Sequence, residues 1–303
     1  MNVGGVFVAA DGRLRAGWRA AFGVVVFAVA ELLAGGAASF APDVHPLVVE
    51  AISRSVALLV LLAGFALLLV AADGVEERPL ASMGLGWSRG ARRQIIWGIA
   101  AGTAMVTTCA GVIFATSSVA SHFSFNLRGL AHALLSLSVL AVAAMAEEAT
   151  FRGYPFQRLV EGTGPVAAVA LTSTLFGLIH AGNPNVSRFA VGNTVLFGIL
   201  LAVAYLRSGA LWLPWGIHFG WNAMLGVGFG LPVSGVTLFA AVLRLRPAGP
   251  AWITGGAYGI EGGGLATIVI ALAIPAVYWL GGCQPFAAEN IARAAEPPPV
   301  TEV

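Results

Sequence analysis

Long apolar runs, broken by short polar segments, set the pattern of this chain. Most of them approach the length of about 20 residues that an α-helix needs to cross the hydrocarbon core of a bilayer. The runs predict eight helices, at residues 18–40, 56–72, 95–117, 130 onward, 166–181, 189–206, 211–229 and 266–280. The sequence therefore predicts an all-α fold, a polytopic transmembrane helical bundle of about eight helices.

The composition agrees with a membrane protein and excludes some partners. Apolar residues make up 58% of the chain and charged residues 10%, whereas a typical soluble domain has about 25% charged residues. The net charge of +2 is too small to indicate binding to nucleic acid. Two isolated cysteines, Cys109 and Cys283, indicate neither a disulfide framework nor a metal cluster. We therefore expect the lipid bilayer as the main surroundings of the chain, and no nucleic acid partner.

All 16 basic residues are arginines, and their placement predicts the orientation of the chain. Cytoplasmic loops of membrane proteins carry an excess of basic residues. With the N terminus inside, eleven arginines lie on the inner side, and five lie in outer loops, namely Arg54, Arg128, Arg188, Arg244 and Arg246. We therefore expect a multi-pass protein with both termini in the cytoplasm.

The same pattern divides the chain into three regions. Residues 1–94 hold the first two helices and a charged loop, residues 95–283 form the membrane core, and residues 284–303 form a polar, proline-rich tail. Such a tail has too little apolar surface to fold, so we expect it to be disordered. Within the core, residues 231–264 are expected to form a long loop whose apolar half dips into the membrane interface.

Three charged residues interrupt the fourth apolar run. Glu147 and Glu148 lie inside it, and Arg152 follows four residues after the second glutamate. Charges at membrane depth are costly and need a partner or a function. On a helix, Glu148 and Arg152 share one face, so we expect them to form an ion pair. Glu147 is rotated by about 100° from that face and is left for another role.

Two further apolar runs carry polar residues at helical spacing. Phe176 and His180 lie four residues apart in one run, and His218 and Asn222 lie four apart in another. Glu147 and His180 are nearly equidistant from the turn at residues 162–165, so an antiparallel hairpin places them at similar depth. A membrane histidine or asparagine alone is often a contact between helices. Together, these residues predict a shared polar cavity inside the bundle.

Three motifs carry a resemblance to a known family. EEATFR at 147–152, FGLIH at 176–180 and HFGWN at 218–222 fit, in this order, the patterns EExxxR, FxxxH and HxxxN. They resemble the CPBP family, also called Abi, which contains CaaX prenyl proteases and bacteriocin-processing intramembrane proteases. The resemblance implies an intramembrane endopeptidase in a bacterial cytoplasmic (inner) membrane. It also implies that residues 95–283 are the catalytic core.

The resemblance also implies roles for the site residues. Glu147 is expected to be the general base, with His180 helping to hold and polarise the water. His218 and Asn222 are expected to face the carbonyl oxygen as hydrogen-bond donors, in agreement with the donor capacity of asparagine at an oxyanion. Glu148, Arg152 and Phe176 are expected to support them.

The resemblance leaves the use of a metal open. We expect no cofactor, because the HExxH helix typical of zinc proteases is absent. The alternative is zinc, held by Glu147, His180 and His218 with an open position for water.

Two other functions remain alternatives at this stage. One is a non-catalytic membrane scaffold or bacteriocin-immunity protein on the same fold, although its motifs are intact. The other is a proton-coupled transporter that uses the glutamates as a relay, although the chain shows no internal symmetry of the kind common in transporters. For the protease, the expected substrate is a membrane-associated protein or peptide. Leader peptides, bacteriocin precursors and membrane-anchored regulators are the candidate classes, since bacteria generally lack prenylated CaaX proteins.

Overall fold

The computed structural model describes residues 7–8, 14–39, 44–73, 80–88, 90–116, 118–123 and 127–280. Within them lie ten α-helices: α1 (Ala16–Ser39), α2 (Pro46–Asp73), α3 (Ala91–Thr116), α4 (Leu127–Arg152), α5 (Tyr154–Thr163), α6 (Pro165–Ile179), α7 (Arg188–Ser208), α8 (Trp212–Ala223), α9 (Ala251–Thr254) and α10 (Gly264–Leu280). Two strands complete the fold, β1 (Ser118–Phe123) and β2 (Leu243–Ala248). The expected tail at 284–303 and Cys283 lie outside the described residues.

The predicted polytopic helical bundle is confirmed. In the described part of the chain, six helical segments are long and apolar enough to cross a membrane, and they correspond to the first six predicted runs. The last two runs form shorter helices. α8 has 12 residues and continues into a π-helical turn at Met224–Gly228, and α10 has 17 residues. The bundle therefore combines six long spans with two shorter apolar helices.

α2 and α4 lie side by side and run in the same direction. His45, directly before α2, has its ring centroid 5.4 Å from that of His132 on α4, and Phe65 on α2 has its ring centroid 6.0 Å from that of Tyr154, two residues after α4. Residue numbers increase together along both helices, which fixes the parallel arrangement. α2 begins earlier than the apolar run indicated, so Arg54 lies within this helix and pairs with Glu50 at 2.8 Å. Its assignment to an outer loop was wrong.

Glycines bring α3 and α8 into close contact. A Cβ added to Gly102 on α3 would lie 2.2 Å from the carbonyl oxygen of Ile217, and one added to Gly220 on α8 would lie 2.5 Å from that of Ile99. Gly98 and Gly216 complete the same contact one turn away. Small residues spaced by four allow such close approach of two helical backbones. This crossing fixes the position of α8, which carries His218 and Asn222.

The segment before α3 holds the beginning of α8. The Leu211 amide donates to the carbonyl oxygen of Gly84 at 3.0 Å, and the Trp212 indole donates to that of Gly86 at 3.0 Å. Gly84 has a φ of +89°, a conformation that glycine adopts without strain. α8 is therefore anchored at its first turn as well as along its length.

Residues 231–263, which we call the return segment, are ordered rather than a simple loop. β2 pairs antiparallel with β1, from Ser118 opposite Ala248 to Phe123 opposite Leu243. The chain then turns back into the bundle, where Tyr258 and Ile260 are 2% and 1% exposed. The expectation of a long loop was therefore wrong for this part, because strand pairing and buried side chains hold it against the core.

Candidate active site

Glu147, His180 and His218 come together from three elements. Glu147 lies on α4, His180 directly follows α6, and His218 lies in the middle of α8. The Oε2 atom of Glu147 is 3.9 Å from Nε2 of His180 and 3.8 Å from Nε2 of His218. These distances are too long for direct hydrogen bonds, yet they bring three titratable side chains around one point. The Glu147 side chain is 27% exposed, the most open of the three.

A backbone carbonyl fixes the orientation of His180. Its Nδ1 lies 2.7 Å from the carbonyl oxygen of Phe176 in the last turn of α6. A carbonyl oxygen only accepts, so Nδ1 carries a proton and the neutral ring presents a lone pair at Nε2. The Phe176 ring, 1% exposed, lies 4.8 Å from the imidazole. Phe176 therefore supports the site through both its carbonyl group and its ring.

The predicted ion pair between Glu148 and Arg152 is present and fully buried. Arg152 Nη1 lies 3.2 Å from Glu148 Oε1, and both side chains are 0% exposed. Arg152 also donates to the carbonyl oxygen of Gly198 at 2.9 Å and stacks over Phe176, with its guanidinium carbon 4.7 Å from the ring centroid. A buried charge needs such pairing, because desolvation alone is costly.

Glu148 has a second partner that the helix spacing did not reveal. Its Oε1 lies 2.8 Å from Nδ1 of His218 on α8. The carboxylate accepts from Nδ1–H, which directs the Nε2 lone pair of His218 towards Glu147. This contact links residues 70 positions apart, so helical periodicity could not predict it. Below, we call Glu147, Glu148, Arg152, Phe176, His180 and His218 the motif network.

The motif network directs three proton acceptors at one point. They are the two Nε2 atoms and Glu147 Oε2, which is buried and has no hydrogen-bond partner among the described residues. A single water has only two hydrogens to donate. One of the three groups must therefore carry an additional proton for all of them to be satisfied by one water.

A small cavity lies beside the histidines. Its volume is about 20 Å³, enough for about one water molecule. Residues that line it include His180, His218, Asn222, Trp221, Ser234 and Glu261. Glu147 does not line it, so the prediction of one cavity shared by all four site residues was wrong for Glu147, which approaches the histidines from outside this cavity. Asn222, half-buried, thus shares the cavity with both histidines, one helical turn beyond His218 on α8.

Glu261 is a cavity residue that the sequence reading missed. Its Oε1 accepts from the Trp221 indole at 3.0 Å, and its Oε2 accepts from the Ser234 amide. Burial raises the pKa of the Glu261 carboxyl, and these two donors oppose that rise. It is the only acidic residue between Glu161 and Glu289. A single carboxylate within an apolar, glycine-rich stretch was the feature of the sequence that could have indicated a functional residue here.

The donor set of the zinc alternative suits the metal in chemistry but not in arrangement. One carboxylate and two imidazoles are common zinc ligands. Across the part of the chain that the structure describes, however, no three His, Cys, Asp or Glu side chains are arranged to hold a metal ion. Cys109, the free cysteine there, is buried among apolar residues of the core. Glu147, His180 and His218, as placed, do not form such a site.

A family model matches the middle of the chain. Residues 129–224 match the family model described as Rce1-like, type II CAAX prenyl endopeptidase Rce1-like. This segment runs from α4 to the end of α8 and contains all three motifs. No curated protein and no solved structure matches the chain. The match confirms the resemblance to the CPBP family, and the return segment with Glu261 lies beyond its limits.

Proposed function

We propose, from the premise that residues 129–224 form an Rce1-like domain of the CPBP family, that this protein is an intramembrane endopeptidase using a glutamate-activated water. Its substrates are membrane-associated proteins or peptides. The observation that carries this proposal is the convergence of Glu147 Oε2 with the Nε2 atoms of His180 and His218. That arrangement suits one water held between a base and two imidazoles.

In the first step, the water attacks the scissile carbonyl. One proton of the water passes to Glu147, its oxygen bonds to the carbonyl carbon, and the carbonyl electron pair moves onto the oxygen. Nε2 of His180 accepts a hydrogen bond from the second hydrogen of the water and holds the water in line with the carbonyl carbon. Because Glu147 is more exposed than either histidine, the substrate reaches the water from the Glu147 side.

The oxyanion then needs hydrogen-bond donors. We place the additional proton of the motif network on Nε2 of His218, because the Glu148 carboxylate at Nδ1 stabilises an imidazolium there. His218 and the Asn222 amide then donate to the oxyanion. When the intermediate collapses, the C–N bond breaks and the leaving amine takes the proton held by Glu147. The carboxylate of Glu147 is thereby regenerated.

Cleavage can be tested without knowing the substrate in advance. Purified protein in liposomes is incubated with membrane extract from the producing cells, and new peptide N termini are identified by mass spectrometry. We expect termini that form with wild type and are absent with Glu147→Gln. A panel of internally quenched peptides with and without an S-farnesylated CaaX end tests the chemistry named in the family description. Equal sets of termini with both proteins, and no cleavage of the panel, would overturn the proposal and favour the scaffold alternative.

The membrane and the orientation belong to the same proposal. We place the protein in a bacterial cytoplasmic membrane with both termini inside. Fusions of green fluorescent protein to each terminus should fluoresce, and alkaline phosphatase fusions at the same positions should be inactive. The reverse result at either terminus would contradict this orientation.

A further inference from the structure

We propose that Glu261 is a positioning residue that holds the Trp221–Asn222 end of α8 in the cavity wall. This inference rests on the proposed function, since it assigns Glu261 to the same reaction. It adds to the site a carboxylate from the return segment, outside the segment that matches the family model.

The two carboxylate oxygens of Glu261 join two separate parts of the chain. Oε1 accepts from the Trp221 indole on α8, and Oε2 accepts from the Ser234 amide in the return segment. Glu261 thereby connects the catalytic helix to the turn that follows it. Both contacts lie in the wall of the cavity that also contains Asn222 and the two histidines.

The backbone around Glu261 is fixed by α7. The side-chain amide of Asn193, 4% exposed, donates to the carbonyl oxygens of Glu261 and Gly263, at 2.8 and 3.0 Å. Thr267 donates to the amide oxygen of Asn193 at 2.6 Å. The carboxylate of Glu261 therefore extends from an anchored backbone, so it can fix the position of its partners.

Trp221 transmits this position to the reacting groups. Its side chain is 1% exposed and it directly precedes Asn222. Its ring lies 5.2 Å from that of Phe197, which in turn lies 5.6 Å from the ring of His218. A shift of Trp221 would therefore move the Asn222 amide and change the packing around His218.

Only a carboxylate satisfies both partners of Glu261. The Trp221 indole and the Ser234 amide are both donors, so both side-chain atoms that face them must accept. Glutamine has the same shape but places an NH₂ group against one of these donors. The buried donor then loses its partner, which disturbs the position of its own element.

The test measures kcat and KM of Glu261→Gln on an internally quenched peptide. The peptide spans a cleavage site found with wild type in the liposome experiment. We expect kcat to fall about 10- to 100-fold through misplacement of the oxyanion donor, with KM within about twofold of wild type, since Glu261 lies behind the reacting groups. The matched control is Glu161→Gln, the same chemical change at a carboxylate of α5 that pairs with Arg19 and Arg158 and does not line the cavity. It should keep kcat.

A second variant separates positioning from general instability. Trp221→Phe keeps an aromatic ring but removes the indole N–H. If Glu261 acts through Trp221, the losses of kcat in the two single variants should not add in the double variant. The indole N–H resonance of Trp221, identified by its absence in Trp221→Phe, should also shift in Glu261→Gln. This readout is independent of activity.

Three results would overturn the inference. They are an unchanged kcat in Glu261→Gln, fully additive losses in the double variant, and an unmoved Trp221 resonance. Failure of the proposed function has a different signature, namely that Glu147→Gln cleaves as wild type does or that wild type cleaves nothing. An inactive Glu147→Gln protein together with a fully active Glu261→Gln protein would therefore reject this inference alone.

Discussion

The motif network and the return segment hold their carboxylates in different ways. In the motif network, Glu148 is balanced by the buried charge of Arg152 and by His218. In the return segment, Glu261 is held by two neutral donors, an indole and a backbone amide. Removing one member of a charge pair leaves an uncompensated buried charge, whereas removing a neutral donor leaves a weaker defect. Substitutions in the motif network should therefore lower the free energy of unfolding more than substitutions in the return segment do.

Glu147→Gln should have the largest effect on activity. Glutamine keeps the shape but cannot accept the proton of the water, and positioned acid–base groups contribute about 10²- to 10⁴-fold to rates. We expect a loss in that range, with the thermal midpoint of unfolding close to that of wild type. Rates on the quenched peptide and a thermal unfolding scan measure both. A greater loss of activity in Glu261→Gln than in Glu147→Gln would contradict the larger effect expected for the motif network.

Arg152→Ala should have the largest effect on stability. It leaves Glu148, 0% exposed, without its buried partner, and breaking such a pair costs about 3–5 kcal/mol. We expect low yield of folded protein and a lower midpoint of unfolding in detergent. Arg54→Ala is the control, since the Arg54–Glu50 pair is partly exposed and such pairs contribute about 1 kcal/mol or less. Equal stability of the two variants would contradict the buried network.

Short-range features of the motif network could be predicted from the sequence. The ion pair of Glu148 with Arg152 follows from helical spacing, and the approach of His180 to Glu147 follows from the hairpin turn. The contact of Glu148 with His218 could not be predicted, because periodicity does not say how α8 packs against α4. The role of Glu261 was missed for the same reason. Its partners, Trp221 and Ser234, are 40 and 27 positions away.

Asn222→Ala should reduce activity, with an upper limit of the loss below that of Glu147→Gln. It removes one donor to the oxyanion and leaves the base in place, and the loss of one such donor costs about 10²- to 10³-fold in kcat. KM should change little. The comparison that sharpens the further inference is Glu261→Gln, which should reproduce part of this loss and add little to it in a double variant. Additive losses in the double variant would mean that Glu261 does not act through the position of Asn222.

Gly102→Ala should test how far the position of α8 controls the site. Its Cβ would lie 2.2 Å from the carbonyl oxygen of Ile217, so α3 and α8 must move apart. Displacement of catalytic groups by about 1 Å can cost about 100-fold in rate, and we expect a loss of that order. Gly111→Ala on the same helix is the matched control, because nothing lies within 4 Å of its added Cβ. Similar activity of the two variants would mean that the helix crossing does not position the motif network.

Removal of metal should have the smallest effect of all. The proposed reaction uses the carboxylate of Glu147 as the base. All of its proton transfers and hydrogen bonds are accounted for by one water and one additional proton on His218. A strong chelator should therefore leave the cleavage of the quenched peptide unchanged, and the purified active protein should contain no stoichiometric zinc. The zinc alternative makes the opposite prediction: chelation inactivates the enzyme, zinc restores it, and His180→Ala and His218→Ala both lose bound metal. Stoichiometric zinc with chelator-sensitive, zinc-restored cleavage would replace the mechanism. Glu147 Oε2 now lies 3.9 Å from Nε2 of His180 and 3.8 Å from Nε2 of His218. Binding of zinc would also require these three atoms to rearrange around the ion.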